Sequence, residues 1–147
     1  MSLALEQAHQ AQAHAEVPVG AVVVKDDRVI GRGFNQPIGS NDPTAHAEIV
    51  ALRDACDTAG NYRLPEARLY VTLEPCMMCI GAIVHAHVGA LIYGATEPKA
   101  GAVHTHQLAQ AEFLNHRLEV LGGVMRTQCG SLLSDFFASR RRAKQID

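Results

Sequence analysis

Two short segments set the strongest constraint on how this chain can fold. They are His46-Ala47-Glu48 and Pro75-Cys76-Met77-Met78-Cys79, whose first cysteine follows the histidine by 30 residues. One imidazole and two thiolates supply three of the four ligands of a tetrahedral zinc, and a fourth position left open is how catalytic rather than structural centres are built. The open position can hold a water whose pKa the metal lowers to about 7. Glu48 puts a carboxylate close to that water without itself being a ligand. A fold that uses this chemistry has to bring the two segments to one point.

The spacing says how. Residues two apart on a helix are rotated by about 200°, so His46 and Glu48 cannot both face a metal lying alongside one helix. They can converge on a metal beyond its first turn. Asp42-Pro43-Thr44 reads as a helix start, with Asp or Thr as N-cap and Pro in the first turn. The apolar set Ile49, Leu52 and Cys56 continues that helix, expected over residues 44–58. Cys76 and Cys79, three apart, share a face of a first turn. Pro75 suits such a start, and a helix N-terminus favours thiolate over thiol. The expectation is two helix N-termini aimed at one zinc per chain.

A lone CxxC is weak evidence; by itself it also fits a redox pair or half of a structural zinc knuckle. Cys56 and Cys129 are isolated in apolar or helical surroundings and read as buried, inert thiols. It is the histidine element together with the cysteine element that favours catalysis.

At 147 residues and 48% apolar, the chain is expected to form one domain over residues 1–147 that buries about 70% of its unfolded surface. No apolar run reaches membrane-span length and the start lacks a basic-then-apolar leader, so no membrane is expected. Four cysteines, two of them assigned to a metal, make no disulfide framework, which points to a cytoplasmic location. A net charge of −2 gives no global sign of nucleic-acid binding; such a function would rest on a local patch.

Alternation of patterns predicts a helix over 4–15 (Leu5, Ala8, Ala11, Ala15) and strands at 19–24 and 28–34 joined as a hairpin by Lys25-Asp26-Asp27. A strand at 68–72 feeds the cysteine helix, expected to run to about residue 87. A strand at 90–93, a short helix near 107–113, a strand at 118–121 and a helix over 128–144 complete the chain. Strand–helix–strand repetition predicts an α/β fold with a largely parallel sheet and a hairpin at one edge. Sites in such sheets open at the C-terminal ends of strands, and here the 68–72 strand runs straight into Glu74-Pro75-Cys76.

The order H-x-E followed by P-C-x-x-C is the signature of zinc nucleobase deaminases, so this match is one of recognition. The chain resembles the cytidine deaminase-like superfamily and, within it, the bacterial tRNA-specific adenosine deaminases. The zinc motif is shared widely; DPTAHAEIVALR (42–53), NHR (115–117) and LLSDFF (132–137) carry the narrower resemblance. EVPVGAVVV (16–24), GRGFN (31–35), NYRL (61–64), LYVTLEPCMMC (69–79) and YGA (93–95) extend it over nearly the whole chain. The resemblance implies a three-layer α/β/α fold with a mixed sheet of about five strands and helices on both faces. It implies one Zn2+ held by His46, Cys76 and Cys79, with Glu48 shuttling protons. The implied reaction is hydrolytic deamination of adenosine to inosine at the wobble position of a tRNA anticodon stem-loop. It further implies that Asn35 contacts the target nucleoside and that Val19 packs on the base, while their helix-start positions make the backbone N–H groups of Ala47 and Cys76 candidates for contacts to the base and the zinc-bound water. The enzyme is expected to be a homodimer.

The same resemblance implies RNA-backbone contacts from Arg140, Arg141, Arg142 and Lys144 and, more weakly, from Lys99, although a basic helix end also suits the helix dipole without any ligand. Arg63 is a weaker candidate. Glu97 stands where relatives carry an Asp that contacts RNA near the target base; it keeps the charge but is one methylene longer, and Pro98 stiffens the loop after it. Guanine, cytosine and deoxycytidylate deaminases share the zinc motif and remain open as enzymes. A non-catalytic RNA-binding subunit of a deaminase complex is the reading from a different class, and Glu48 disfavours it.

Overall fold

β1 (Gly20–Lys25) and β2 (Arg28–Phe34) pair antiparallel across the Asp26-Asp27 turn. Both aspartates have positive φ, 51° and 57°, the combination whose twist matches that of the flanking strands. The computed structural model describes residues 1–146. Its remaining strands are β3 (Arg68–Leu73), β4 (Ala90–Ala95) and β5 (Glu119–Leu121), and one five-stranded sheet has the order β2-β1-β3-β4-β5. β1 and β3 pair antiparallel, with Val22 opposite Tyr70; β3–β4 and β4–β5 are parallel. The sheet is therefore mixed, and β3 is the strand where its two senses meet.

The helices are α1 (Ser2–Ala13), α2 (Pro37–Ser40), α3 (Ala47–Ala59), α4 (Met77–His85) and α5 (Arg126–Ile146). Strand alternation separates two buried layers. Ala21, Val23, Leu69, Val71 and Leu91 join Ala51, Leu52, Ile80 and Ile83 in the core against α3 and α4. On the opposite face α1 lies against β1 and α5 against β4, where Cys129 sits over Gly94. Ala4, Ala8 and Ala11 of α1 are fully buried, so this helix lies flat on the sheet through methyl groups. No helix among the described residues is long and apolar enough to cross a membrane.

Several boundaries differ from expectation. Asp42-Pro43-Thr44 does not start α3. The Asp42 carboxylate accepts from the Thr44 N–H at 2.9 Å and the Thr44 hydroxyl at 2.7 Å, closing a turn of its own, and the helix begins at Ala47. The buried stripe of α1 runs through Ala4 rather than Leu5 and Ala15; Ala15 lies past the helix at φ 59°. α4 ends at His85, the expected short helix near 107–113 is a single 3-10 turn at Leu108–Gln110, and α5 extends over both predicted ends. The four-residue α2 had no periodicity to reveal it.

Candidate active site

The two signature segments meet because both helices that carry them start beside the end of β3. His46 is the N-cap of α3 and Cys76 the N-cap of α4, each with extended backbone (φ −71°, ψ 154° and φ −79°, ψ 175°). An N-cap side chain projects beyond the first turn, so the imidazole and the thiol leave their helices toward a common point. Cys79, fully buried, reaches it from within the first turn of α4.

The donor spacing is that of a metal centre. Bonds of about 2.3 Å to sulfur and 2.05 Å to nitrogen, at a tetrahedral angle, put the two donor atoms about 3.6 Å apart. Cys76 Sγ lies 3.7 Å and Cys79 Sγ 3.6 Å from His46 Nδ1. All three donor atoms lie within 4.8 Å of one another, and among the described residues no fourth His, Cys, Asp or Glu joins them. The set thus fits zinc with one position open. A hydrogen bond with Cys79, set against burial and helped by His46, holds the Cys76 thiol down to about 3. The same pairing, with burial and Glu48, pushes Cys79 up. Zinc binds cysteine as thiolate, so metal binding at this trio releases protons.

Glu48 lies one helical residue beyond Ala47 and is 4% exposed. Burial pushes its carboxyl above the usual range, against the opposing hydrogen bond from Cys79 and the charge of His46. A carboxyl desolvated in this way moves toward the pH at which it can both take and give a proton.

Asn35, at the end of β2, accepts a 2.8 Å hydrogen bond from the Ala47 N–H through Oδ1 and donates its own N–H to Val19 O at 3.0 Å. The Ala47 N–H, expected from sequence to serve a ligand, thus caps α3 through Asn35. Val19 is buried beside them. The Glu97 carboxylate accepts from the backbone N–H of Lys99 at 3.2 Å and from that of Ala100, fastening its own loop. Lys99 is exposed. Across a cleft of about 680 Å³, Glu97, Pro98 and Lys99 face Leu133, Phe137 and Arg141 of α5. Arg140, itself exposed, folds back along the surface, donating to Ala15 O at 2.5 Å and lying 4.9 Å from the centre of the Phe136 ring. Arg141, Arg142 and Lys144 are exposed.

Two buried carboxylates had no sequence signal. Glu16 accepts from the Gly39 N–H at 2.9 Å and the Ile38 N–H at 3.4 Å, pinning α2 beside Asn35. Glu74, 3% exposed, accepts from the backbone N–H groups of Glu97, Val103, His104 and Thr105 at 2.9–3.1 Å and from the Thr105 hydroxyl at 3.2 Å. Burial alone would raise the Glu74 carboxyl, but the hydrogen bonds from Thr105, Val103 and Glu97 outweigh it and hold it below the usual range.

The sequence profile of the MafB19-like deaminases matches residues 1–141. The chain is 48% identical over 149 aligned positions to a tRNA-specific adenosine deaminase of Haemophilus influenzae, an alignment covering 100% of this chain and 86% of that protein. It superposes with a TM-score of 0.88 and 46% identity on a structure from studies of A-to-I editing by tRNA:A34 deaminases at the wobble position, over 90% of this chain and 97% of that one. A guanine deaminase from Nitrosomonas europaea superposes with a TM-score of 0.79 at 25% identity, over 93% and 82% of the two chains. The mixed five-stranded sheet of this chain and the helices packed on it therefore match the fold of both solved structures.

Proposed function

The chain belongs to the tRNA-specific adenosine deaminases, and on that premise we propose that it hydrolyses adenosine to inosine at the wobble position of a tRNA anticodon loop. The observation that carries the reading is the meeting of His46, Cys76 and Cys79, at metal-ligand spacing, beside the buried Glu48. These three residues would hold one zinc per chain. Zinc, when bound, supplies the Lewis acid that makes a water nucleophilic near neutral pH.

Everything else is work for the chain's own side chains. Glu48 accepts a proton from the attacking water and returns protons to the purine ring and to the departing amine, so that adenosine and water become inosine and ammonia. Its burial suits that double duty: a carboxyl of ordinary pKa would be too weak a base to take the proton and too depleted of it to give it back. Asn35, held by Ala47, orients the nucleoside through its amide nitrogen, and Val19 supplies an apolar surface beside it. A loop nucleotide can leave its stack at small cost, which suits a buried reaction centre. Glu97, Lys99, Arg141, Arg142 and Lys144 border the cleft or the helix end beyond it, where the RNA backbone would lie; Arg140 belongs to the same run.

The working unit is one deaminase domain, and we extend the proposal to a cytoplasmic homodimer. An apolar groove between α3 and α4, lined by Ile49, Leu52, Tyr62, Ala82 and Ala86, supports a partner chain there, as does the exposure of Tyr62 and Met77. A monomer by light scattering at micromolar concentration would remove that part. The function itself is tested by incubating zinc-loaded protein with a transcribed anticodon stem-loop carrying the wobble adenosine, and in parallel with free adenosine, guanine and cytidine. Inosine in the stem-loop is the expected product. Conversion of guanine or cytidine with the stem-loop untouched would replace this substrate with a free base or nucleoside.

A further inference from the structure

The loop after β4 is long, lacks regular structure over residues 96–107 and borders the cleft opposite α5. Such a segment has no ladder of its own to hold its shape, so its order has to come from somewhere else. Local backbone bonds and the Glu97 carboxylate supply part of it, and one further side chain gathers the segment as a whole. Glu74, at the end of β3 and two residues before Cys76, receives the backbone N–H groups of Glu97, Val103, His104 and Thr105. The first and last of these donors are eight residues apart, so a single carboxylate ties both ends of the turn together, in addition to the Gly101 N–H to Glu97 O bond within it and the Ala102 N–H to Pro75 O bond. The Thr105 hydroxyl reinforces the tie by reaching Glu97 O at 2.7 Å and Glu74 at 3.2 Å. Gly101 sits so close under the carboxylate that any Cβ there would collide with it. The loop is built around this group.

We propose that Glu74 is a positioning residue for RNA: it fixes Glu97, Pro98 and Lys99 at the width of the cleft that receives the anticodon loop, while Pro75-Cys76 fixes the reaction centre from the same strand end. The proposal rests on the RNA-deaminase reading above. A charged acceptor is required, because a carboxylate can take every one of these donors whereas an amide would turn an NH2 group toward backbone N–H groups. Glu74 thus aligns two things that must match, the grip on the RNA backbone and the metal trio. It touches neither substrate nor metal in this arrangement.

The test separates grip from chemistry. For Glu74→Gln, zinc content should stay at one per chain and kcat on the stem-loop should stay within about threefold, while KM and the stem-loop Kd rise by roughly tenfold or more, the scale of one lost charge-assisted hydrogen bond. Amide hydrogen exchange at Glu97, Val103, His104 and Thr105 should accelerate while β3 and α4 stay protected. Thr105→Val, which leaves the ligand-bearing segment alone, should shift KM in the same direction, and Thr105→Ser should restore it. Unchanged KM and Kd with faster loop exchange would overturn the proposal, leaving Glu74 as a stabiliser only. Loss of zinc or kcat with KM unchanged would overturn it in favour of an effect on the trio. If Glu74→Gln does not fold, the Thr105 pair decides, and wild-type KM in both would count against the idea. If the wild-type protein acts on no RNA at all, the functional reading fails instead, and the exchange data still report whether Glu74 orders the loop.

Discussion

Substituting Gly33 by Ala should cost more catalysis than stability. Gly33 of β2 faces α3, and an added Cβ would lie 2.5 Å from Ala47 O and 2.5 Å from Ala51 N. Ordinary packing needs about 3.5 Å, so the first turn of α3 has to retreat by about 1 Å. That turn carries His46 at its cap and Glu48 one residue in, while Cys76 and Cys79 stay with β3 and α4. Overpacking of this kind destabilises by about 1–3 kcal/mol, and replacing Gly by Ala in a strand returns about 0.5–1 kcal/mol of chain entropy. The net loss, about 1–2 kcal/mol, corresponds to a fall in Tm of roughly 2–8 °C for a chain of this size. A misplacement of about 1 Å between reacting groups can lower turnover by about a hundredfold. The matched control is Gly31→Ala, whose Cβ would meet Ala51 O at 2.4 Å, Ala55 N at 2.7 Å and Ala55 Cβ at 2.8 Å, all beyond the first turn that carries His46 and Glu48. Calorimetry should give the two variants similar Tm losses, and the inosine assay should show the larger rate defect for Gly33→Ala. Equal activity in the two at equal Tm loss would refute the argument that the β2–α3 seat sets the position of His46 and Glu48.

Cys76→Ser and Cys79→Ser should each lose zinc by elemental analysis, together with order at the α4 start, and zinc uptake by the wild type should weaken as pH falls because protons compete for the sulfurs. Glu48→Gln should keep zinc and stem-loop affinity and lose about 10²–10⁴-fold in turnover, since an amide cannot carry the proton; single-turnover kinetics will read it. Replacing Arg141, Arg142 and Lys144 together by Ser should flatten the slope of log Kd against log salt by up to about 2, at about 0.7 per lost phosphate contact. Arg140→Ser should instead appear mainly in Tm, because that guanidinium is committed to Ala15 O and the Phe136 ring.

The meeting of the two signature segments was legible because its signal is local: a histidine and a glutamate two apart, two cysteines three apart, and a proline before them. The hairpin was legible for the same reason, since Asp26-Asp27 breaks two apolar runs. The start of α3 was misplaced because Asp, Pro and Thr serve both helix caps and free turns, and Asp42 spends its oxygen on Thr44. Glu74 and Glu16 were illegible for a different reason. Their donors lie 23–31 and 22–23 residues away, in segments without periodicity, and nothing about a glutamate announces that it will be buried. Arg140 looked like its neighbours in sequence, and only the path of α5 past the end of α1 sets it apart.

That β3 carries an antiparallel neighbour on one side and a parallel one on the other has a consequence for synthesis. Everything up to the histidine lies in the hairpin half, which can close on microsecond timescales once the ribosome releases it. The cysteines come just after the strand that joins this half to the parallel half, at the start of the crossover helix α4, and pairing across such a crossover is slower. At about 5–20 residues per second, the first cysteine leaves the peptidyl-transferase centre about 2–6 s after the histidine that precedes it by 30 residues. Until the first cysteine has been added the chain carries only one of the three donors, an incomplete ligand set. The trio of donors comes together only where the antiparallel and parallel parts of the sheet meet, so its assembly depends on the closing of that seam.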